Sequence, residues 1–299
     1  MADNTCQPAV PTSSPSPASA DMRPASPPLL TIAIPTYCGA QVIGETIRSV
    51  LAQTLPDFEL IIIDDNSPDT TEAVVRAFDD PRIRYLKNPT NLGPEGNWNR
   101  CLAEARGEYF KLLPHDDLLM PDCLARQVEV LAADVNKQLA LVFSAREVLG
   151  PNGTLLTRRG YPGAREGVIA AVDLLRACVR RGTNLIGEPG AVLMRRELAT
   201  QIGNFDGRNP YVIDLDYWFR LLAHGDAWYS TRPLAAFRVS TQQWSVVIGA
   251  NQGRDFRQFI ARAEAGGKLP TRAWDRLLGL FTPGLNNLAR LAFYRLYLR

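Results

Sequence analysis

Hydrophobic positions in the first third of the chain come as short runs separated by stretches of helical period. Leu29 to Pro35 is an apolar run of the kind a central strand shows, and it ends in Pro35-Thr36-Tyr37, where the backbone must turn. Val42, Ile43, Ile47, Val50 and Leu51 recur at helical spacing and predict an amphipathic helix over 41–53. The alternation then repeats. Phe58 to Ile63, Arg82 to Leu86 and Tyr109 to Leu113 read as strands. Between them, Ser67 is the expected N-cap of a helix with Pro68 at its first position and Ala73, Val74, Ala77 and Phe78 on its buried stripe. Asn91-Leu92-Gly93-Pro94 opens another, with Trp98, Cys101, Leu102 and Ala105 inward. Strands alternating with helices in this way specify a parallel, helix-covered sheet, because parallel neighbours need crossover connections. The expected class is α/β with a nucleotide-binding layout.

Beyond Pro121 the pattern loosens. A helix with Leu124, Val128, Leu131 and Ala132 on one face precedes a strand at Leu139 to Phe143, and Gly150-Pro151-Asn152-Gly153 is a turn between strand-like stretches. The glycines and prolines of 150–167 suggest a mobile loop. A helix at 170–180, a strand at Ala191 to Met194 and a turn-rich loop at Gly203 to Gly207 follow. Leu215, Trp218, Phe219 and Leu222 then define a buried helical face; Ala227 to Tyr229 and Leu234 to Val239 are strand-like; the remainder is helical.

Composition and charge narrow the class. With 299 residues, 46% of them hydrophobic and 21% charged, the chain can bury one large core or two modest ones. A net charge of +2, from 33 basic and 31 acidic side chains, gives no argument for nucleic-acid binding. The charge is uneven, however: 251–299 holds nine Lys or Arg against three Asp or Glu, about +6, so everything before it is about −4. Five cysteines without a C-x-x-C pair, and two histidines, His115 and His224, exclude a zinc cluster and fit a reduced, cytoplasmic setting. Residues 1–28 are rich in Pro, Ser and Ala and lack the apolar region of a signal peptide, so a disordered leader is expected. No apolar run approaches the roughly 18 residues of a spanning helix, so membrane attachment would be peripheral, on the inner face. Leu285, Leu288, Leu291, Ala292 and Leu296, with Arg290, Arg295 and Arg299 among them, allow either a helix lying on anionic lipid or one docked on its own domain or a partner subunit.

The candidate chemistry lies at strand ends. Asp116 and Asp117 follow the strand at Tyr109 directly, Asp64 and Asp65 end the strand at Phe58, and carboxyl ends of parallel strands are where α/β sheets bind ligands. Paired carboxylates there can hold a divalent cation that grips a diphosphate, although an Asp beside a helix start can also serve only as a cap. Asp216 and Arg220 are four apart and can pair, which leaves Asp214 at the first turn of its helix without a local partner.

Taken in order, Ile34-Pro35-Thr36-Tyr37, Ser49 to Thr54, Ile63-Asp64-Asp65-Asn66-Ser67, Asn91-Leu92-Gly93, Gly107-Glu108-Tyr109, His115-Asp116-Asp117, Gly187-Glu188-Pro189 and Asp214 to Arg220 resemble the motifs of the family 2 glycosyltransferases. These are inverting, nucleotide-sugar-dependent enzymes of the GT-A fold, and the resemblance covers roughly 29–245. It implies a Rossmann-like, mostly parallel sheet flanked by helices, with a helical C-terminal extension. A nucleotide-binding half would occupy 29–120, an acceptor half 121–249 and the basic extension 250–299.

The resemblance also implies roles. Pro35, Tyr37, Glu45, Asp65, Gly93, Asn97 and Asp116 would bind a nucleotide sugar, with uracil suited to the ring of Tyr37 and the acceptor of Asp65. Asp117, with Asp116, would hold Mn²⁺ or Mg²⁺; Gly187, Glu188 and Pro189 would face the acceptor; and Asp214 would be the catalytic base. The expected partners are a nucleotide-sugar donor, expected to be UDP-linked, and a glycan, lipid-linked or protein acceptor. Three departures weaken the match at the metal: Pro114 where a further Asp is common, Cys38 where Asn is usual, and Ser240 where a histidine often stands. The Gln-x-x-Arg-Trp motif of processive synthases is missing at Gln242-Gln243-Trp244, so transfer of single sugars is expected. A non-catalytic scaffold of the same fold and a nucleotidyltransferase remain alternatives, whereas a dinucleotide oxidoreductase lacks its glycine-rich turn after the first strand.

Overall fold

The computed structural model describes residues 27–239, 252–267 and 269–297. The expectations for most of the leader, for Ser240 and for Gln242 to Trp244 fall outside them. The first half follows the predicted alternation: β1 (Leu30–Thr36), α1 (Ile43–Leu51), β2 (Phe58–Asp64), α2 (Thr71–Arg76), β3 (Ile83–Lys87), α3 (Gly93–Glu104) and β4 (Tyr109–Leu112). The second half adds β5 (Leu118–Leu119), α4 (Cys123–Ala133), β6 (Leu139–Leu149), β7 (Leu155–Arg159), β8 (Gly167–Ile169), α5 (Ala171–Arg181), β9 (Val192–Arg195), α6 (Arg196–Ile202), α7 (Ile213–Leu221), β10 (Asp226–Arg238), α8 (Gln252–Ala265) and α9 (Ala273–Tyr297).

All strands join one sheet in the order β3-β2-β1-β4-β9-β6-β10-β5, with β7 beside β6 and β8 beside β10. β1 is parallel to β2 and β4, β2 to β3, and β6 to β10, while β9 runs antiparallel between β4 and β6. The sequence order reverses at β1, with β2 on one side and β4 on the other, which opens a crevice at their carboxyl ends. Because β9 is antiparallel, its amino end comes to the same edge. The apolar runs of β1 and β2 are continuous because both faces are covered: Ile32, Ile34, Leu60 and Ile62 pack with α1 and α4, and Ala33, Ile61 and Ile63 pack toward Phe110, Phe143 and Trp218. Each such side chain contributes about 1.5–3 kcal/mol by leaving water, so the sheet holds the crevice edge rigidly.

Several local expectations are corrected. The second helix starts at Thr71 and not after Ser67, because Ser67 braces a turn: its N–H donates to Asp64 (2.8 Å) and its hydroxyl accepts from the Cys38 N–H (2.9 Å). The inward positions are Thr71, Val74, Val75 and Phe78, with Ala73 and Ala77 exposed. Residues 150–167 are not a featureless loop, since β7 pairs with β6 as a hairpin and Gly167 begins β8. The two strands expected between Ala227 and Val239 are one, β10, whose register shifts around Pro233, a residue with no N–H to offer a neighbour. At the C-terminal end α9 packs on α5 and α8, so the helix is docked on its own chain.

Candidate active site

The β2 side of the crevice is assembled around Asp65. Its N–H donates to the Thr36 carbonyl (2.8 Å), which ties the end of β2 to the end of β1. Its carboxylate accepts from Asn88 Nδ2 (2.5 Å) and from the Leu92 N–H (2.8 Å). Asn88 is itself fixed by Arg100 and by Asn97, whose own amide donates to the Ile63 carbonyl (3.1 Å). Asn97 therefore sits buried behind Asp65 as a support for Asn88. Asp64 turns the other way and is occupied by Ser67 and the Tyr85 hydroxyl (2.6 Å). Pro35 is the penultimate residue of β1, and Tyr37 follows half-exposed; Cys38 first, then burial and the charges of Asp65 and Asp69, push its phenol up. Cys38 has φ +52°, a conformation in which Asn is far more at ease than Cys, which explains the usual occupant of that position. Gly93 opens α3 with φ +72° and open space around it, so its backbone conformation is what calls for glycine.

The far side carries the charge. Asp117, 2% exposed, accepts from the Arg238 N–H (3.2 Å). Burial, then the neighbouring Asp116 and Glu188, push its carboxyl well above the usual range, and Arg238 only partly offsets them. Arg238 also pairs with Glu45 (2.5 Å), while its Nε is buried without an acceptor. Glu188 arrives on a tight turn, Pro189–Ala191, held by two buried side chains. Lys111 of β4 donates to the carbonyls of Gly190 (2.8 Å) and Val192 (2.9 Å), and Gln127 of α4 to that of Ala191 (2.9 Å). Burial raises the Glu188 carboxyl, but the paired Arg146 of β6 and then Arg159 outweigh it and hold it below its usual range. Gly187 has φ +116°, and a Cβ there would stand 3.0 Å from the Arg146 guanidinium, so another residue would be strained in its backbone and would press on that ion pair.

Asp214 lies in the first turn of α7, where no side chain caps the helix and Val212 holds the N-cap place. Its carboxylate accepts from the Leu215 N–H (2.7 Å) and from Asn184 Nδ2 (3.0 Å). Asn184 also accepts from the N–H groups of Ile186 (3.0 Å) and Gly187 (2.9 Å), and so fixes Asp214 and the Glu188 loop with one side chain. Trp218 Nε1 donates to the Gly187 carbonyl (3.1 Å) and adds a second clasp. Burial, and after it Glu188, push the Asp214 carboxyl up to about 7, with Leu215 and Arg146 pulling the other way. A carboxylate poised near neutrality in a crevice can take and return a proton. Asp216 pairs with Arg220 (2.9 Å) as its spacing predicts, which leaves Asp214 to the site.

The structure thus brings Asp117, Glu188 and Asp214 into one electrostatic neighbourhood at the crevice edge, with Asp65 and Tyr37 together at the ends of β2 and β1. Asn184, Arg146, Arg238, Lys111 and Gln127 are the residues the sequence reading missed. For Lys111 and Arg146 a signal existed, because a charge inside an apolar strand is retained only when it is paired. Among the described residues no three His, Cys, Asp or Glu side chains form a complete metal site. Asp116 and Asp117 still fit a hard cation that takes its other ligands from phosphate and water, and the uncompensated negative charge at Asp117 is what such an ion would offset.

Residues 31–201 match the family model described as glycosyl transferase family 2. The chain is 30% identical over 219 residues to an uncharacterized glycosyltransferase of Rickettsia typhi, covering 72% of this chain and 65% of that one. It is 31% identical over 204 residues to an uncharacterized protein of Mycobacterium tuberculosis, covering 65% and 62%. A shorter likeness, 36% over 119 residues and 39% and 37% of the two chains, is to the GalNAc(5)-diNAcBac-PP-undecaprenol beta-1,3-glucosyltransferase of Campylobacter jejuni. The chain spans between 32% and 65% of the length of the first curated relatives it matches. Among solved structures, S. aureus TarS 1-349 in complex with UDP-GlcNAc superposes with a TM-score of 0.63 at 17% identity, covering 90% of this chain and 76% of that one. The mannosyltransferase PcManGT of Pyrobaculum calidifontis, in complex with GDP-Man and Mn²⁺, does so with 0.61 at 21% identity and the same coverage. At these identities the likeness shows the shared fold.

Proposed function

Because this chain belongs to the family 2 glycosyltransferases and has their GT-A fold, we propose that it transfers one sugar, with inversion, from a nucleotide diphosphate sugar to an acceptor hydroxyl. The observation that carries this reading is Asp214, a carboxylate pushed up to about 7 and held by Asn184 at the crevice edge that also bears Asp117. Tyr37 and Asp65 receive the base, for which uracil is the reading adopted here, and the UDP-GlcNAc bound by TarS supports it. Asp117 and Asp116 hold the divalent cation, which when bound supplies positive charge to the departing diphosphate; the Mn²⁺ in the PcManGT complex supports that assignment.

The acceptor oxygen attacks the anomeric carbon from the face opposite the diphosphate, and Asp214 takes its proton as the new C–O bond forms. The bond from that carbon to the phosphate oxygen breaks in the same displacement, and its electron pair leaves on the nucleoside diphosphate. One displacement inverts the carbon. The Campylobacter relative named for a polyprenyl-diphosphate glycan supports a lipid-linked glycan as acceptor.

A panel of nucleotide sugars, tested for binding and slow hydrolysis with and without Mn²⁺, is the direct experiment, followed by NMR of the product's anomeric configuration. Hydrolysis of a UDP-sugar by the native chain and not by Asp214→Asn is expected. Retention of configuration, or turnover unaffected in the Asn variant, would overturn the assignment.

A further inference from the structure

The long helix α9 meets its own domain with the wrong face for an ordinary core. Gly279 lies against Val179, Pro283 fills the space beside Gly182, and Asn286 donates to the carbonyls of Arg181 and Gly182. Asp275, the single acid of this helix, is buried and pairs with Arg180 (3.4 Å) and Arg176 (3.8 Å). Small and polar residues thus make the docking contact. On the opposite side Trp274, Leu277, Leu280, Phe281, Leu285 and Leu288 stand between 46% and 66% exposed. At 100° per residue they fall within one continuous stripe about 20 Å long, with no charged residue among them. An exposed aromatic and aliphatic band of this size is not a random scatter of surface leucines.

The segment around the stripe is basic. Arg257 of α8, itself exposed, reaches to 4.0 Å of where a Cβ on Gly284 would stand, and the segment 251–299 that carries the stripe holds nine Lys or Arg against three Asp or Glu. Two copies pairing through this face would bring two basic segments together, whereas an anionic lipid surface would offset their charge. No helix among the described residues is long and apolar enough to cross a membrane. We propose that α9 is a monotopic membrane contact: its Trp274-to-Leu288 face enters the headgroup boundary of a bilayer, and Arg257, with the basic charge of its segment, faces anionic lipid headgroups. The inference stands on this surface alone and not on the transfer reaction.

The test is co-sedimentation of the full chain with vesicles of phosphatidylglycerol and phosphatidylcholine, against vesicles of phosphatidylcholine only. Partitioning should be at least about tenfold stronger on the anionic vesicles, should weaken with salt, and should fall at least about tenfold in the triple variant Leu280→Ser, Phe281→Ser, Leu285→Ser. Arg257→Gln should weaken the preference for anionic lipid while leaving residual binding. Circular dichroism and donor hydrolysis report that both variants remain folded. Absence of binding by the native chain, or equal binding by the triple variant, overturns the proposal. A native dimer that the triple variant dissolves, with no vesicle binding by either, would assign the stripe to a second copy instead.

Discussion

Asp64 and Asp65 at the end of β2 are buried and bonded from several directions, whereas across the crevice Asp117 is buried and Asp214 half-buried, both near like charges. On the β2 side, backbone N–H groups, a tyrosine hydroxyl and an asparagine amide are oriented during folding and need nothing further. On the β4 and α7 side, burial and Glu188 leave negative charge that the protein itself does not balance. The first arrangement makes a shape for a ligand; the second leaves a demand that a cation and a proton can meet.

The contrast breaks most completely at Asp117. Asp117→Ala should lower transfer by more than about 10³, and added Mn²⁺ should no longer raise donor affinity, as read by calorimetry. Asp117→Asn should at the same time raise the metal-free Tm by a few degrees, because it removes a carboxylate that folding forces close to like charges. The sign follows from the raised carboxyl: the protonated form suits the fold, so native stability is lost as pH rises and the gain should be larger at pH 8 than at pH 4. A Tm that falls at both values would mean that Asp117 is already satisfied.

Asp214→Asn should reduce kcat by about 10² to 10⁴ while donor affinity stays nearly constant. In the native chain kcat/KM should rise as pH passes through about 7, since the base must be ionised, and that limb should vanish from the residual activity of the variant. A matched loss of donor affinity and rate would make Asp214 a binding residue. Asn184→Ala acts through Asp214, so a loss of about tenfold in kcat is expected, together with a shift of the same limb to higher pH because the ionised form loses a donor. An unmoved limb would reduce Asn184 to loop support. The smallest effect should come from the nucleotide side: Asn88→Ala should raise the donor KM about three- to tenfold with kcat within about twofold.

The strand-and-helix alternation of the first half was legible because each element there is decided by its own apolar period and by neighbours close in sequence. Legibility failed where a distant partner decides. Ser67 looks like a cap, but Asp64 and Cys38 already engage it; β10 looks like two strands because Pro233 interrupts the ladder without ending it. The candidate carboxylates could be found from their position after strands, and the resemblance gave Asp214 a role. Asn184 has no such mark, since its bond to Asp214 spans 30 residues and nothing local distinguishes it from a turn asparagine. Of the C-terminal stripe the sequence period marked Leu285 and Leu288 but not Trp274, Leu277, Leu280 or Phe281, and which side of the helix would meet the domain depended on Gly279 and Pro283, whose fit to Val179 and Gly182 is tertiary.

Lys111 has a consequence for descent. Its ammonium group joins two carbonyls on a segment about 80 residues away, in a place no water reaches, and burial pulls its proton affinity down. A mutation at 111 would take a donor from both carbonyls at once, so a lineage that lost this lysine would be expected to change the backbone at 190–192 with it. Ancestral intermediates carrying one change without the other should misfold or lose the turn beneath Glu188, and that barrier should keep the two segments tied together through divergence that freely rewrites the surface around them.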